Sequence, residues 1–291
     1  MESRAFLRAL YRAAVSAVEP GRLVAEALSR RGNAVVVRSV SDPGRREFVF
    51  VPRRVALLSV GKAAVAMAAA AHRALGALVH ESIVVAPAGS PDEALPPGCR
   101  YLPSAHPVPD ERSLAAGRQA AALASSLRSE DLLVVLLSGG GSSLLALPAE
   151  GVSLPDKVRT VSLLSAAGAP IADVNLVRGA LSRLKAGRLA AAARQADVVT
   201  LVLSDVGDAG WHLVSSGPTL GIPPSRRAAL ALLELYRLLP LVPPAVRAYL
   251  QSPHVEDGPR DGGQRWSVLL GDIRTALEGA RREALRLGAD V

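Results

Sequence analysis

The sequence predicts an α/β protein, a three-layer α/β/α Rossmann-like domain built on a mainly parallel sheet. Four times a short apolar run is followed by a small or polar turn and then an Ala/Leu-rich stretch, at residues 55–60, 132–137, 198–203 and 268–270. These runs are strongly apolar and do not alternate regularly with polar residues, which indicates strands covered on both faces by helices. The chain has 291 residues, 49% of them hydrophobic, enough to bury a sizeable core.

Taken in order, residues 1–20 place Glu2, Arg4, Arg8 and Arg12 among apolar side chains, the pattern of an amphipathic helix and not of a signal peptide. The strand at 55–60 runs into Gly61-Lys62 and a helix over 63–78. Short strands follow at 82–86 and 100–104, then a helix over 111–127 with Asp110 as its cap. The strand at 132–137 leads through three glycines to a helix beginning at Leu144-Leu145. Helices are expected over 156–167 and 175–184 and a strand over 198–203. Proline and glycine gather at 218–224, 240–244 and 253–263, each a break in regular structure. These breaks suggest a domain over 1–252, a linker over 253–265 and, over 266–291, the first βα unit of a following region.

Composition excludes several functions. No apolar run reaches the length of a membrane span, so a cytoplasmic protein without membrane association is expected. A single cysteine, Cys99, rules out an internal disulfide and a cysteine-held metal. The formal charge is +8, yet the arginines are scattered and only 3% of residues are aromatic, which argues against nucleic acid as a partner. Nearly every basic residue is arginine. Lysine stands only at 62, 157 and 185, and asparagine only at 33 and 175, so these positions are candidates for chemistry that their substitutes do not perform.

The polar turns carry the candidate site, because ligands of open parallel sheets lie beyond the carboxyl ends of the strands. Ser138-Gly139-Gly140-Gly141-Ser142-Ser143 stands between a strand and a helix, where exposed N–H groups suit a phosphate or carboxylate. Lys62 stands at a helix amino terminus, where its charge opposes the helix dipole unless an anion is bound. Asp205 and Asp208 follow the third strand and suit either a divalent cation, for which Asp208 is the candidate, or acceptance of a hydroxyl proton; they equally suit capping and turns. Asn175, Arg178, Ser182, Lys185 and Arg188 step by three or four, one polar helical face that suits an anion or simply solvent. Ser216, Gly217 and Thr219 form a further small-residue turn. His106, in a proline-rich loop, could meet an anion or be structural.

In their order these motifs resemble the class II glycerate 2-kinases, the MOFRL-containing family. The matching stretches are Gly61-Lys62-Ala63-Ala64, Ala105-His106-Pro107-Val108-Pro109-Asp110, Leu137-Ser138-Gly139-Gly140-Gly141-Ser142, Asn175-Leu176-Val177-Arg178, Leu184-Lys185-Ala186-Gly187-Arg188-Leu189-Ala190, Ser204-Asp205-Val206-Gly207-Asp208 and Ser216-Gly217-Pro218-Thr219. The resemblance implies transfer of the γ-phosphoryl group of ATP to the 2-hydroxyl of D-glycerate with Mg²⁺ or another divalent cation. It implies Lys62 and Asp205 as the essential lysine and aspartate. It also implies a carboxyl-terminal MOFRL domain that is missing here. A second copy of the chain, or a separately encoded carboxyl-terminal half, would then cover the apolar surface left behind. Ala186 departs from the family, which usually has glycine there. Two alternatives stay open: a remnant that binds anions or nucleotide without turnover, and a sugar-phosphate-binding or isomerase domain.

Overall fold

The computed structural model describes residues 3–40, 46–91, 95–207, 210–221, 224–253 and 262–289. The chain begins with helices α1 (Ser3–Ala17) and α2 (Pro20–Ala27) and a small antiparallel sheet of β1 (Leu28–Arg31), β2 (Ala34–Arg38) and β3 (Glu47–Phe50). The βα rhythm then starts with β4 (Arg54–Val60), α3 (Ala64–Leu75), β5 (Val79–Pro87), β6 (Arg100–Ser104), α4 (Glu111–Ser125) and β7 (Asp131–Leu137). A single helical turn, α5 (Gly141–Leu144), precedes α6 (Leu154–Ala166), α7 (Ile171–Ala180), α8 (Arg188–Ala192) and β8 (Asp197–Leu203). The chain closes with α9 (Arg226–Leu235), α10 (Pro244–Gln251), β9 (Arg265–Gly271) and α11 (Ile273–Arg286).

The large sheet has six strands in the order β6-β5-β4-β7-β8-β9, and all its pairings are parallel. Its central strands β4, β7 and β8 are largely apolar because alternate residues enter different cores. Val55 and Leu57 of β4 pack in one cluster with α2 and α3, while Ala56, Leu58 and Val60 pack in the other with α4. In β7, Leu132, Val134 and Leu136 face the first cluster and Leu133, Val135 and Leu137 the second. The expected mainly parallel, doubly covered sheet is therefore observed. At its β9 edge, Phe50 of the small sheet meets Trp266 edge-on at 4.7 Å between ring centres. A third core joins α6, α7, α9 and α10 through residues such as Leu164, Val177, Leu233 and Val246.

Strand positions agree with the sequence reading to within a few residues. Helix ends differ more. The helix expected over 63–78 stops at Leu75, where Gly76 takes φ +53° and a short 3-10 turn continues to Leu78. The helix expected from Leu144-Leu145 is only the single turn α5, because Leu145 is already extended and Pro148 follows. The helix expected over 175–184 instead spans Ile171–Ala180. Beyond it the Ser182 hydroxyl accepts the N–H groups of Leu184 and Lys185, forming a turn that competes with helix. The segments 28–50, 226–235 and 244–251 carried no sequence assignment. Among the described residues no helix is long and apolar enough to cross a membrane.

Candidate functional site

The strand order reverses between β4 and β7: the chain runs outward through β5 to β6, then returns to the other side of β4. Val60 and Leu137 lie in register at this switch point, so Gly61-Lys62 and Ser138-Gly139 leave the sheet side by side. Such a reversal opens a crevice at the strand ends. The two turns are locked together by three bonds, from Ser138 N to Val60 O (3.0 Å), Lys62 N to Gly139 O (2.9 Å) and Ala63 N to Ser138 Oγ (3.1 Å). Gly61 adopts φ +133°, and a Cβ there would strike the side chain and carbonyl of Ser138. Glycine is required at this crossing.

Each of the three glycines meets a different polar group. A Cβ on Gly139 would overlap the Asp205 carboxylate, so that carboxylate lies directly against the turn. A Cβ on Gly140, at φ +92°, would lie 3.1 Å from His106 Cδ2 and 3.2 Å from Lys62 Cγ. At Gly141 the obstacle would be Ser215, whose hydroxyl donates to Ser138 O at 2.9 Å. Lys62, His106 and Asp205 are exposed and line one open edge of the turn.

The opposite flank is buried and strongly basic. Lys185, 1% exposed, donates through Nζ to Gly141 O (2.8 Å) and Ser215 O (2.9 Å). Arg178 Nη1 donates to Asn175 Oδ1 (2.7 Å) and Ser216 Oγ (3.3 Å), and the Ser216 hydroxyl lies 2.7 Å from that of Ser142. Lys157, 6% exposed in α6, completes the group. Burial, together with the positive charges of Arg178 and Arg188, holds its pKa down at about 7. Burial and then the charges of Lys157 and Arg178 push the Lys185 ammonium well below the ordinary lysine range. Burial likewise lowers Arg178.

The expected single helical face from Asn175 to Arg188 is thus corrected. Asn175 and Arg178 lie on α7, Ser182 and Lys185 in the following turn and Arg188 at the start of α8, where its Nη1 donates to Gly179 O at 2.7 Å. Ser216 and Gly217 belong to a left-handed turn with Ser215, at φ +57°, +59° and +56° for residues 215, 216 and 217. Thr219 is a core hydroxyl, 2.8 Å from the hydroxyl of Thr200 in β8. The Ser143 hydroxyl donates to Gly140 O at 3.1 Å. Lys62 stands just ahead of α3, not in its first turn. Asp208, the metal candidate, lies outside the described residues, and among those described no group of three His, Cys, Asp or Glu side chains converges. Lys157 and Ser215 were absent from the residues expected at the site. The scarcity of lysine was a signal for Lys157, whereas nothing in the sequence distinguishes Ser215 from a solvated turn serine.

A parallel sheet covered on both faces, with its polar side chains collected where the strand order reverses, defines an α/β protein of Rossmann-like architecture with a switch-point site. Residues 6–251 match the family described as Domain of unknown function (DUF4147), and the chain belongs to that family. That family is described as the amino-terminal domain of MOFRL glycerate kinases, in agreement with the ordered motifs. The glycerate kinase of Homo sapiens is 35% identical over 303 residues, covering 97% of this chain and 55% of that relative. The glycerate 2-kinase of Pyrococcus horikoshii is 32% identical over 284 residues, covering 94% of this chain and 61% of the relative. A crystal structure of Thermotoga maritima glycerate kinase superposes with a TM-score of 0.78 at 31% identity, covering 98% of this chain and 62% of the other. The chain spans a little over half the length of these relatives.

Proposed function

We propose that this chain carries the phosphotransfer site of a D-glycerate 2-kinase, with ATP as donor and 2-phosphoglycerate and ADP as products. The observation that carries this reading is the convergence of Asp205, Lys62 and His106 on one glycine turn at the switch point. The names of its relatives supply the substrate class.

In phosphoryl transfer a protein chiefly positions the reactants and offsets charge. The oxygen of the 2-hydroxyl forms a bond to the γ-phosphorus while the bond from that phosphorus to the β,γ-bridging oxygen breaks. Asp205 takes or orients the hydroxyl proton. Lys62 offers a mobile point charge to the phosphoryl oxygens, and His106 stands beside it at Gly140. The N–H groups of the glycine turn, with Ser142 and Ser143 behind them, face an anionic group. On the buried flank Asn175, Arg178, Lys185, Arg188 and Ser216 set the positive field, with Gly217 and Thr219 shaping the turn. Among the described residues Asp205 is the carboxylate at this edge. One carboxylate suits Mg²⁺, which is commonly held mainly by nucleotide phosphates and water. The cation would neutralise phosphate charge.

The test is ADP release by the purified chain with ATP, Mg²⁺ and D-glycerate, the product identified by mass and Lys62→Ala serving as blank. Glycerate-dependent turnover lost in the variant supports the proposal. A folded chain that binds nucleotide but gives no turnover supports the second reading, an anion-binding unit needing a further domain.

A further inference from the structure

Lys157 has no role in the site as the sequence drew it, yet it is the least expected side chain in the fold. It projects from α6 at 6% exposure, and no described residue accepts a hydrogen bond from its ammonium. The charges acting on it are those of Arg178 from α7 and Arg188 from α8, and it acts in turn on Lys185. Nearby carboxylates are engaged elsewhere. Asp156 accepts the Ser153 hydroxyl at the cap of α6 (2.6 Å), and Asp173 of α7 accepts the Tyr236 hydroxyl (2.7 Å). Across α10, which also packs on α6, the charged residue is Arg247. Among the described residues, Lys185 is met by the Gly141 and Ser215 carbonyls and Arg178 by the Asn175 amide oxygen and the Ser216 hydroxyl, neutral dipoles in both cases.

Collecting the charges of Lys157, Arg178 and Lys185 with no carboxylate bonded to them among the described residues is costly unless an anion joins them. Lys157 and Arg178 come from the two packed helices α6 and α7, and the Ser142–Ser216 hydroxyl pair lies beside Arg178, so the donors are spread in three dimensions. That arrangement suits a tetrahedral group with several oxygens and more than one negative charge, and exceeds what a single carboxylate requires.

We infer that Lys157, together with Arg178, Lys185 and the hydroxyls of Ser142 and Ser216, forms a binding site for a phosphoryl oxyanion on the buried side of the glycine turn. The choice of ligand rests on the phosphotransfer reading. The site is separate from the exposed Lys62 edge, since Gly140 faces Lys62 while the Gly141 carbonyl holds Lys185. The phosphoryl group can come from the nucleotide or from a phosphorylated acid.

The test is calorimetric titration of the full chain with inorganic phosphate at pH 6.5 in a phosphate-free organic buffer, requiring no turnover. Wild type is expected to bind. Lys157→Met, which keeps volume and removes charge, should weaken binding by about tenfold or more, as loss of a charge-assisted contact implies. Lys157→Arg should restore part of the affinity. Competition by ADP identifies the nucleotide as the source, and competition by 2-phosphoglycerate without ADP identifies the phosphorylated acid. A folded wild type that binds no phosphate, or a Lys157→Met variant with wild-type affinity, overturns the inference. Loss of turnover with phosphate binding intact would count against the kinase reading alone.

Discussion

Replacing Lys157 by methionine should stabilise the unliganded protein and flatten its pH dependence. An unfolded chain returns the ammonium to water and to an ordinary lysine pKa of 10.5, whereas in the fold burial beside Arg178 and Arg188 lowers it to about 7. At ~1.36 kcal/mol per pH unit, that interval corresponds to about 5 kcal/mol of penalty for holding the charged form. Below pH 7 both states are protonated and the full penalty applies. Between about 7 and 10.5 the unfolded state binds the extra proton, so stability rises with pH by about 1.4 kcal/mol per unit, and above 10.5 the penalty is gone. Lys185 shifts in the same direction, so the quantity to read is the difference between wild type and variant. Urea unfolding at pH 6, 7, 8 and 9 without phosphate should show Lys157→Met more stable at the acidic end, with the gap narrowing as pH rises. Parallel pH profiles, or a variant less stable throughout, would refute the electrostatic account.

Other substitutions separate packing from chemistry. Gly139→Ala drives a methyl into the Asp205 carboxylate; since Asp205 is exposed, stability should change by less than about 1 kcal/mol while glycerate-dependent ADP release falls by roughly 100-fold, the scale of a misplaced reacting group. Gly61→Ala meets both φ +133° and the Ser138 backbone, and thermal unfolding should report a loss of about 3 kcal/mol. Asp131, 2% exposed, accepts from Arg54 Nε at 2.9 Å and Arg128 N at 2.8 Å. Asp131→Ala should therefore cost about 2 kcal/mol in urea unfolding by leaving those donors unpaired, without changing phosphate affinity.

The large sheet was legible because two-sided burial writes itself into contiguous sequence: 132–137 is apolar at every position and 198–203 at all but Thr200, and each belongs to a buried parallel strand. The polar turns were legible for the same reason, lying where such runs stop. The small sheet β1–β3 and helices α9 and α10 were not, because their short apolar stretches acquire partners only across the fold, as Phe50 does with Trp266 and Leu233 with the third core.

The sequence by itself determined a doubly covered α/β sheet, the glycine turn, and the lysines and asparagine worth watching, since periodicity, turn chemistry and composition are local properties. Only the tertiary structure decided which of those groups meet. Strand order set β4 beside β7 and so brought Gly61 against Ser138. Termination of α7 at Ala180 broke the expected polar stripe and turned Lys185 inward to the Gly141 and Ser215 carbonyls. The packing of α6 on α7 brought Lys157 to Arg178, 21 residues away in sequence. Such contacts follow from long-range packing, which no window of neighbouring residues encodes.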